Sequence, residues 1–151
     1  MINVAFVCLG NICRSPMAEL VFKNILKEKN LLQKFNVSSF ATSSYEVGNP
    51  IYPPAKRTLE KYGVSGNHIS QQLTLSNVVC NDYILVMDSE NLSDVLYLTG
   101  GKYSEKVFKL LHFTGENRDV ADPWYTRNFE KTYQDIVNGC NAFLSFVLNG
   151  K

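Results

Sequence analysis

The sequence has few histidines and no closely paired cysteines, and both shortages exclude classes of protein. It contains two histidines and four cysteines, at positions His68, His112, Cys8, Cys13, Cys80 and Cys140. No two cysteines are separated by two residues and the histidines lie far apart, so the spacing of a structural zinc site is missing. We therefore predict that the protein holds no structural metal. We also expect no bound cofactor.

The sequence also lacks an excess of positive or negative charge, and it lacks long apolar runs. Lys and Arg number 15 and Asp and Glu 14, which leaves a net charge of +1 and no large field that steers the protein toward nucleic acid or an anionic membrane. No apolar run approaches the roughly 18 residues of a membrane helix. The opening MINVAFVCLG lacks the basic region of a signal peptide. We expect a cytoplasmic protein that binds neither nucleic acid nor membranes.

The order of apolar segments predicts an α/β fold in a single domain, 1–151. Strands are expected at 2–7, 36–40, 82–88 and 106–113, and helices over 54–62, 75–80 and 129–147. Ser15 is the expected N-cap of a first helix, with Pro16 at its first position. Strands that alternate with helices indicate a parallel sheet covered on both faces.

The segment VCLGNICRSP, residues 7–16, joins the first strand to the first helix. Such a loop points backbone N–H groups into one cavity, and the helix dipole adds positive potential there, so the loop is suited to a phosphate-like anion. It lacks the lysine of a nucleotide-binding P-loop, and with Gly10 as its only glycine it lacks the GxGxxG pattern. Gly10 and Asn11 are expected to adopt left-handed conformations where the loop curves.

Within this loop, Cys8 and Arg14 carry the chemistry. The positive environment favours the thiolate of Cys8, a nucleophile, and the Arg14 guanidinium matches two phosphoryl oxygens at once. The hydroxyl of Ser15 is placed to donate to the Cys8 sulfur. The bare C-x5-R pattern is weak, and the alternative reading of Cys8 is a small buried side chain at the end of a strand.

A proton donor for the leaving oxygen is predicted at Asp122, in ADPWY. Pro123 would stiffen that loop, although Asp-Pro is also a common turn dipeptide. Trp124 and Tyr125 either line a slot for an aromatic ring or are ordinary core and surface aromatics.

Three segments together resemble the low-molecular-weight protein tyrosine phosphatases: VCLGNICRSPMAE, MDSENL at 87–92 and DPWY at 122–125. The resemblance spans essentially the whole chain. It implies a flavodoxin-like, three-layer fold with four parallel strands in the order 2-1-3-4 and helices on both faces. It also implies hydrolysis of phosphotyrosine and aryl phosphate monoesters through a phosphocysteine, with no metal. Cys8 matches the nucleophile, Arg14 the phosphate-binding arginine, Ser15 the thiolate-stabilising hydroxyl, and Asp122 the general acid and base.

The resemblance implies roles for further residues. The phosphate loop is completed by Leu9, Gly10, Asn11, Ile12 and Cys13, and the residues that support a left-handed Asn11 are Ser39, His68 and Asp88. Cys13 matches a cysteine that forms a disulfide with the nucleophile under oxidation, the alternative being a packing residue. The substrate wall falls on Tyr45, Glu46, Trp124 and Tyr125, where many members have tyrosine in place of Trp124. The implied partners are phosphotyrosine proteins, with inorganic phosphate or other oxyanions as inhibitors.

Two other functions are weighed against this one. Thioredoxin-coupled arsenate reductases resemble the chain in the first motif, but they need two further cysteines seven positions apart; Cys80 lies near the expected place, whereas position 87 is Met87 and Cys140 lies in a predicted helix. A phosphotyrosine-binding module without turnover is the second, and since every catalytic position is filled, nothing in the sequence favours it.

Overall fold

Four strands form one sheet in the computed structural model, which describes residues 1–149, so that residues 150 and 151 of the expected domain lie outside it. The strands are β1 (Ile2–Cys8), β2 (Phe35–Ala41), β3 (Tyr83–Val86) and β4 (Val107–Lys109). Every pairing is parallel and the order is β2-β1-β3-β4. The expected flavodoxin-like sheet is confirmed.

Helices cover both faces of the sheet. Successive side chains of β1 point to opposite faces and so belong to two separate cores. Val4 and Phe6 belong to one core and Ala5 and Val7 to the other. The first core is shared with α1 (Arg14–Glu28), α2 (Pro53–Lys61) and α6 (Phe129–Leu148), and the second with α3 (Leu75–Cys80) and α4 (Ser89–Thr99). A short helix, α5 (Pro123–Thr126), precedes α6.

The predicted helices are present with small changes at their ends. The helix predicted over 75–80 has those bounds, and the one predicted over 54–62 begins and ends one residue earlier. The N-cap expectation was wrong: α1 begins at Arg14, and its N-cap residue Cys13 makes no side-chain capping bond. Ser15 lies inside the first turn, where its hydroxyl is free for another partner.

Two helices were not predicted, α4 and α5. A capping box begins α4: the Asp88 side chain accepts from the Asn91 N–H, and the Asn91 side chain accepts in return from the backbone of Asp88. The helix ends at Gly100, with φ +64°. The strand expected over 106–113 is limited to β4 and continues as a 3-10 helix, Leu110–Thr114.

The carboxyl ends of β1, β2 and β3 meet at one edge of the sheet, with Cys8 opposite Ala41 and Val7 opposite Val86. In open parallel sheets this edge is where ligands bind. It holds the loop that follows β1 and the N-terminus of α4.

Candidate active site

Cys8 lies at the floor of the loop between β1 and α1, with 3% of its surface exposed. The backbone N–H groups of Asn11 and Ser15 point at its sulfur, with N to Sγ distances of 3.3 and 3.4 Å. The positive end of the α1 dipole lies on the same side. These donors all favour negative charge at or above the sulfur.

The Ser15 hydroxyl lies 3.0 Å from the Cys8 sulfur. The same oxygen accepts a hydrogen bond of 2.7 Å from Nδ2 of Asn11. The hydroxyl still has its proton to donate, and it donates to the sulfur when Cys8 is a thiolate, since a thiolate can only accept.

Asn11 has φ +58°, as expected, and its amide holds the loop in that conformation. Nδ2 also donates to Ser39 Oγ at 3.1 Å, and Oδ1 accepts from His68 Nε2 at 2.6 Å. The expectation of a left-handed Gly10 was wrong, since Gly10 is not among the residues with positive φ. A side chain there would instead crowd Glu46, whose Cγ lies 3.3 Å from the position of an added Cβ.

Glu19, on α1, completes this network and was not predicted. Its carboxylate accepts from Ser39 Oγ at 2.6 Å and from Lys23 Nζ at 2.7 Å, and it lies 3.4 Å from His68 Nδ1. Burial lowers the pKa of His68, and the negative charge of Glu19 opposes that shift. In the sequence, Glu19 is one acidic residue in a helical segment, and nothing in that pattern indicates its contacts with Ser39 and His68.

The Arg14 side chain is almost fully buried, with 2% of the residue exposed. Its Nη1 donates to Asp88 Oδ2 at 2.7 Å and to the Val120 carbonyl at 2.9 Å, and its Nη2 lies 3.4 Å from Asp122 Oδ2. Burial lowers the pKa of Arg14, but the negative charges of Cys8, Asp122 and Asp88 outweigh it and raise the pKa overall. Asp88 therefore contacts Arg14, whereas the resemblance placed it in the support of Asn11.

Asp122 is the N-cap residue of α5. Its Oδ1 accepts from the Trp124 N–H at 3.0 Å, which leaves Oδ2 facing Arg14 and the cavity. Pro123 occupies the first position of α5, where proline costs no hydrogen bond. Asp122 can therefore begin the turn at Asp-Pro with one oxygen and act as a proton donor with the other.

Tyr52 connects the Asp122 segment to the Cys8 loop, and it too was not predicted. Its backbone N–H donates to the Ile12 carbonyl at 2.9 Å, and its ring centroid lies 4.7 Å from that of Trp124. Its hydroxyl accepts from Arg127 Nη2 at 3.0 Å. Tyr52 thereby contacts both loops, the Cys8 loop through its backbone and the Asp122 segment through its ring.

A cavity of about 180 Å³ opens above Cys8. It is lined by twelve of the residues named in the sequence analysis: Cys8, Leu9, Gly10, Asn11, Ile12, Cys13, Arg14, Tyr45, Glu46, Asp122, Trp124 and Tyr125. Ser43 also lines it and was not predicted. Ser15, Ser39, His68 and Asp88 lie behind the cavity and contact its lining residues. Three exposed aromatic rings, of Tyr45, Trp124 and Tyr125, surround its mouth.

The other cysteines differ in their surroundings. Burial, together with the negative charge of Cys8, raises the pKa of Cys13 to about 12. Cys80 is exposed at the end of α3 and Cys140 is fully buried in α6. All four cysteines are free thiols.

Metal-binding clusters and membrane-spanning helices are both absent from residues 1–149, the part of the chain that the structure describes. No group of three or more His, Cys, Asp or Glu side chains in that range is arranged to hold a metal ion. No helix in that range has the length and hydropathy needed to cross a membrane.

Taken together, these side chains can bind a tetrahedral oxyanion against the loop N–H groups and Arg14, with the Cys8 sulfur beneath it. The Asp122 carboxyl can exchange a proton with a group at the mouth of the cavity. A planar ring can lie between the aromatic side chains that surround it.

Comparison with known proteins agrees with this geometry. The family model of the low molecular weight phosphotyrosine protein phosphatases matches residues 3–150. The low molecular weight protein-tyrosine-phosphatase YfkJ of Bacillus subtilis is 36% identical over 154 residues, covering 100% of this chain and 99% of that protein. Its crystal structure has a TM-score of 0.96, with 100% and 97% of the two chains covered.

Two more relatives widen the comparison. The low molecular weight phosphotyrosine protein phosphatase of Homo sapiens is 37% identical over 147 residues, covering 94% of this chain and 93% of that protein. The crystal structure of a drosophila arginine phosphatase is 28% identical, with a TM-score of 0.89 and coverage of 95% and 96%. The chain belongs to the low molecular weight phosphotyrosine protein phosphatase family.

Proposed function

We propose that this protein hydrolyses phosphotyrosine and other aryl phosphate monoesters through a phosphocysteine on Cys8, as one catalytic domain. The observation that carries the proposal is the position of the Cys8 sulfur, beneath an anion-binding loop and in the same cavity as Arg14 and Asp122. The names of the Bacillus and human relatives support phosphotyrosine as the substrate.

In the first step the Cys8 thiolate attacks phosphorus in line, a sulfur–phosphorus bond forms, and the bond to the leaving oxygen breaks. Asp122 gives its proton to that oxygen, so the product leaves as a neutral phenol. The loop N–H groups and Arg14 hold the three equatorial oxygens throughout.

In the second step water attacks the phosphocysteine, and Asp122, now a carboxylate, takes a proton from it. The sulfur–phosphorus bond breaks, inorganic phosphate is released and the thiolate returns. The Ser15 hydroxyl, 3.0 Å from the sulfur, stabilises the thiolate as the leaving group. The chemistry of both steps requires no metal or cofactor, and the product phosphate and similar oxyanions are expected to inhibit.

The aromatic rim of the cavity supports an aryl substrate. Trp124 and Tyr125 lie beside Asp122, and Tyr45 lies across the mouth of the cavity. A phenyl ester bound with its phosphate on the loop would lie between these rings. Trp124 gives a larger surface than the tyrosine found in many members.

The arsenate reductase alternative finds little support. Met87 is buried at the position where a relay cysteine would stand, and Cys140 is buried in α6. Cys80 is not among the residues that line the cavity.

The test is a direct comparison of substrates. A phosphotyrosine peptide, a phosphoarginine peptide and arsenate with thioredoxin are offered to the reduced wild type and to Cys8→Ser, with chelator present. We expect turnover of the phosphotyrosine peptide that is lost in Cys8→Ser. Faster turnover of the phosphoarginine peptide, the substrate class named for the drosophila relative, would overturn the substrate assignment. Thioredoxin-dependent arsenate reduction would overturn the reaction class.

A further inference from the structure

A second cavity, of about 510 Å³, adjoins the one above Cys8. Leu9, Ser43 and Tyr45 line both cavities. The second one continues between the segment that follows β2 and the exposed side of α4, and we call it the α4 groove. Its further lining includes Asp94, Tyr97 and Leu98 on α4. A polypeptide ligand that extends from the Cys8 cavity past Tyr45 would enter this groove.

The α4 groove is rigidly connected to the Cys8 loop on both sides. On one side, the N–H groups of Thr42 and Ser43 donate to the carbonyls of Cys8 and Leu9, at 2.9 and 3.1 Å. On the other, α4 begins at Asp88, whose carboxylate binds Arg14. A ligand in the groove is therefore held at a fixed distance from the Cys8 sulfur.

Three side chains that line the groove, Tyr45, Tyr97 and Leu98, are large, largely apolar and exposed. Tyr97 is 90% exposed, Tyr45 84% and Leu98 40%. Contiguous exposed apolar groups beside a binding site are typical of a surface that a partner covers. Asp94, Tyr97 and Leu98 lie at positions i, i+3 and i+4, so they share one side of α4.

The charge of the groove indicates what that partner carries. Among the described residues that line it, Asp94 alone is charged. The adjoining Cys8 cavity is lined by two further acidic residues, Glu46 and Asp122, and by the buried Arg14. A lysine or arginine would bring its charge to Asp94 while its alkyl stem packs on the Tyr97 ring.

We propose that the α4 groove binds the substrate's polypeptide next to the phosphotyrosine and that Asp94 selects a basic residue there. This inference rests on the proposed function, since it assumes that the phosphoryl group enters the Cys8 cavity. It adds a sequence preference to a pocket that by itself accepts any aryl phosphate.

The test separates the groove from the chemistry. Values of kcat/KM are measured for p-nitrophenyl phosphate and for phosphotyrosine peptides flanked by lysines or by glutamates. The variants are Asp94→Lys, Tyr97→Ser and the control Glu105→Lys, which makes the same charge change at an exposed site before β4 begins. The wild type is expected to prefer the basic peptide by about threefold to fivefold, as an exposed ion pair would give.

Asp94→Lys is expected to reverse that preference, and Tyr97→Ser to weaken both peptides severalfold, while turnover of p-nitrophenyl phosphate stays at the wild-type level. If Asp94→Lys alters the peptide preference no more than Glu105→Lys does, the groove proposal is wrong. If the wild type does not hydrolyse p-nitrophenyl phosphate, the proposed function is wrong instead. In that case the groove proposal is tested by the affinity of the same peptides for Cys8→Ser and for the double variant with Asp94→Lys.

Discussion

Arg14 and Asp88 lie 2.7 Å apart at the carboxyl edge of the sheet, and the Asp88 carboxylate serves two elements at once. One oxygen accepts from the Arg14 guanidinium, and the other accepts from the Asn91 N–H at 2.7 Å to begin α4. The orientation of the Arg14 guanidinium is thus coupled to the start of a helix on the opposite face of the sheet.

Two substitutions separate these roles of Asp88. Asparagine is as good an N-cap as aspartate, so Asp88→Asn should keep α4 while it removes the charge that orients Arg14. We expect kcat/KM on an aryl phosphate to fall by about tenfold or more in both Asp88→Asn and Asp88→Ala. Chemical denaturation should show Asp88→Ala less stable than Asp88→Asn by about 1 kcal/mol. Wild-type activity in Asp88→Asn would show that the ion pair does not position Arg14.

Tyr52 should control the proton transfer, because its ring packs on Trp124 and its backbone N–H holds Ile12. Tyr52→Leu keeps the backbone bond and removes the ring, and Tyr52→Phe is the matched control that keeps the ring. If Tyr52 positions Asp122, Tyr52→Leu should slow phenyl phosphate, whose leaving group needs a proton, by about tenfold more than p-nitrophenyl phosphate. Equal losses on both substrates would contradict this role and indicate a general loss of structure.

The His68 pKa predicts a stability change with pH. Burial lowers the pKa of His68 below its usual value of 6.5, so below pH 6.5 the unfolded chain binds more protons than the folded one. Stability should therefore fall as the pH drops below 6.5, and His68 should contribute no pH dependence above it, where it is neutral in both states. Denaturation of wild type and His68→Gln from about pH 7 to about pH 5 checks this. A steeper loss in His68→Gln would show instead that a protonated His68 pairs with Glu19.

Cys13 is predicted to protect Cys8 from irreversible oxidation. Peroxide converts the Cys8 thiolate to a sulfenic acid. The Cys13 sulfur then attacks that sulfur as a thiolate, which burial disfavours because it raises the pKa of Cys13 to about 12. The Cys13 proton leaves with the sulfenic hydroxyl as water, and a disulfide forms. Cys13→Ser should keep its turnover within about threefold of wild type, yet dithiothreitol should no longer restore activity after peroxide, since the next product is a sulfinic acid. Full recovery of Cys13→Ser would leave Cys13 a packing residue.

Structural features formed by residues close together in the sequence were predicted well. The Cys8 to Arg14 spacing, the strand before it and the helix after it are all contained in residues 2–28, and each has its own pattern. The helix at 75–80 follows Thr74, whose side chain completes a capping box with Asn77. The helix α4 has a similar signal in Asp88 and Asn91, which the sequence analysis took only as the polar end of a strand.

Contacts between distant segments were harder to predict. Asp88 is 74 positions from Arg14 and His68 is 57 from Asn11, so no spacing rule relates them. The resemblance named these residues, but it assigned Asp88 to the wrong partner. Glu19 and Tyr52 were missed because an acid on a helix and a tyrosine in a loop become informative only when the fold brings Ser39, His68 and Trp124 beside them.

The phosphocysteine on Cys8 is the central claim, and rapid quenching with mass spectrometry of the intact and digested protein tests it most directly. With p-nitrophenyl phosphate in excess, we expect one phosphoryl group on Cys8 within the first turnover, which disappears as the substrate is consumed and is absent in Cys8→Ala. Full wild-type turnover with no phosphoryl group on Cys8 at any time would contradict the account.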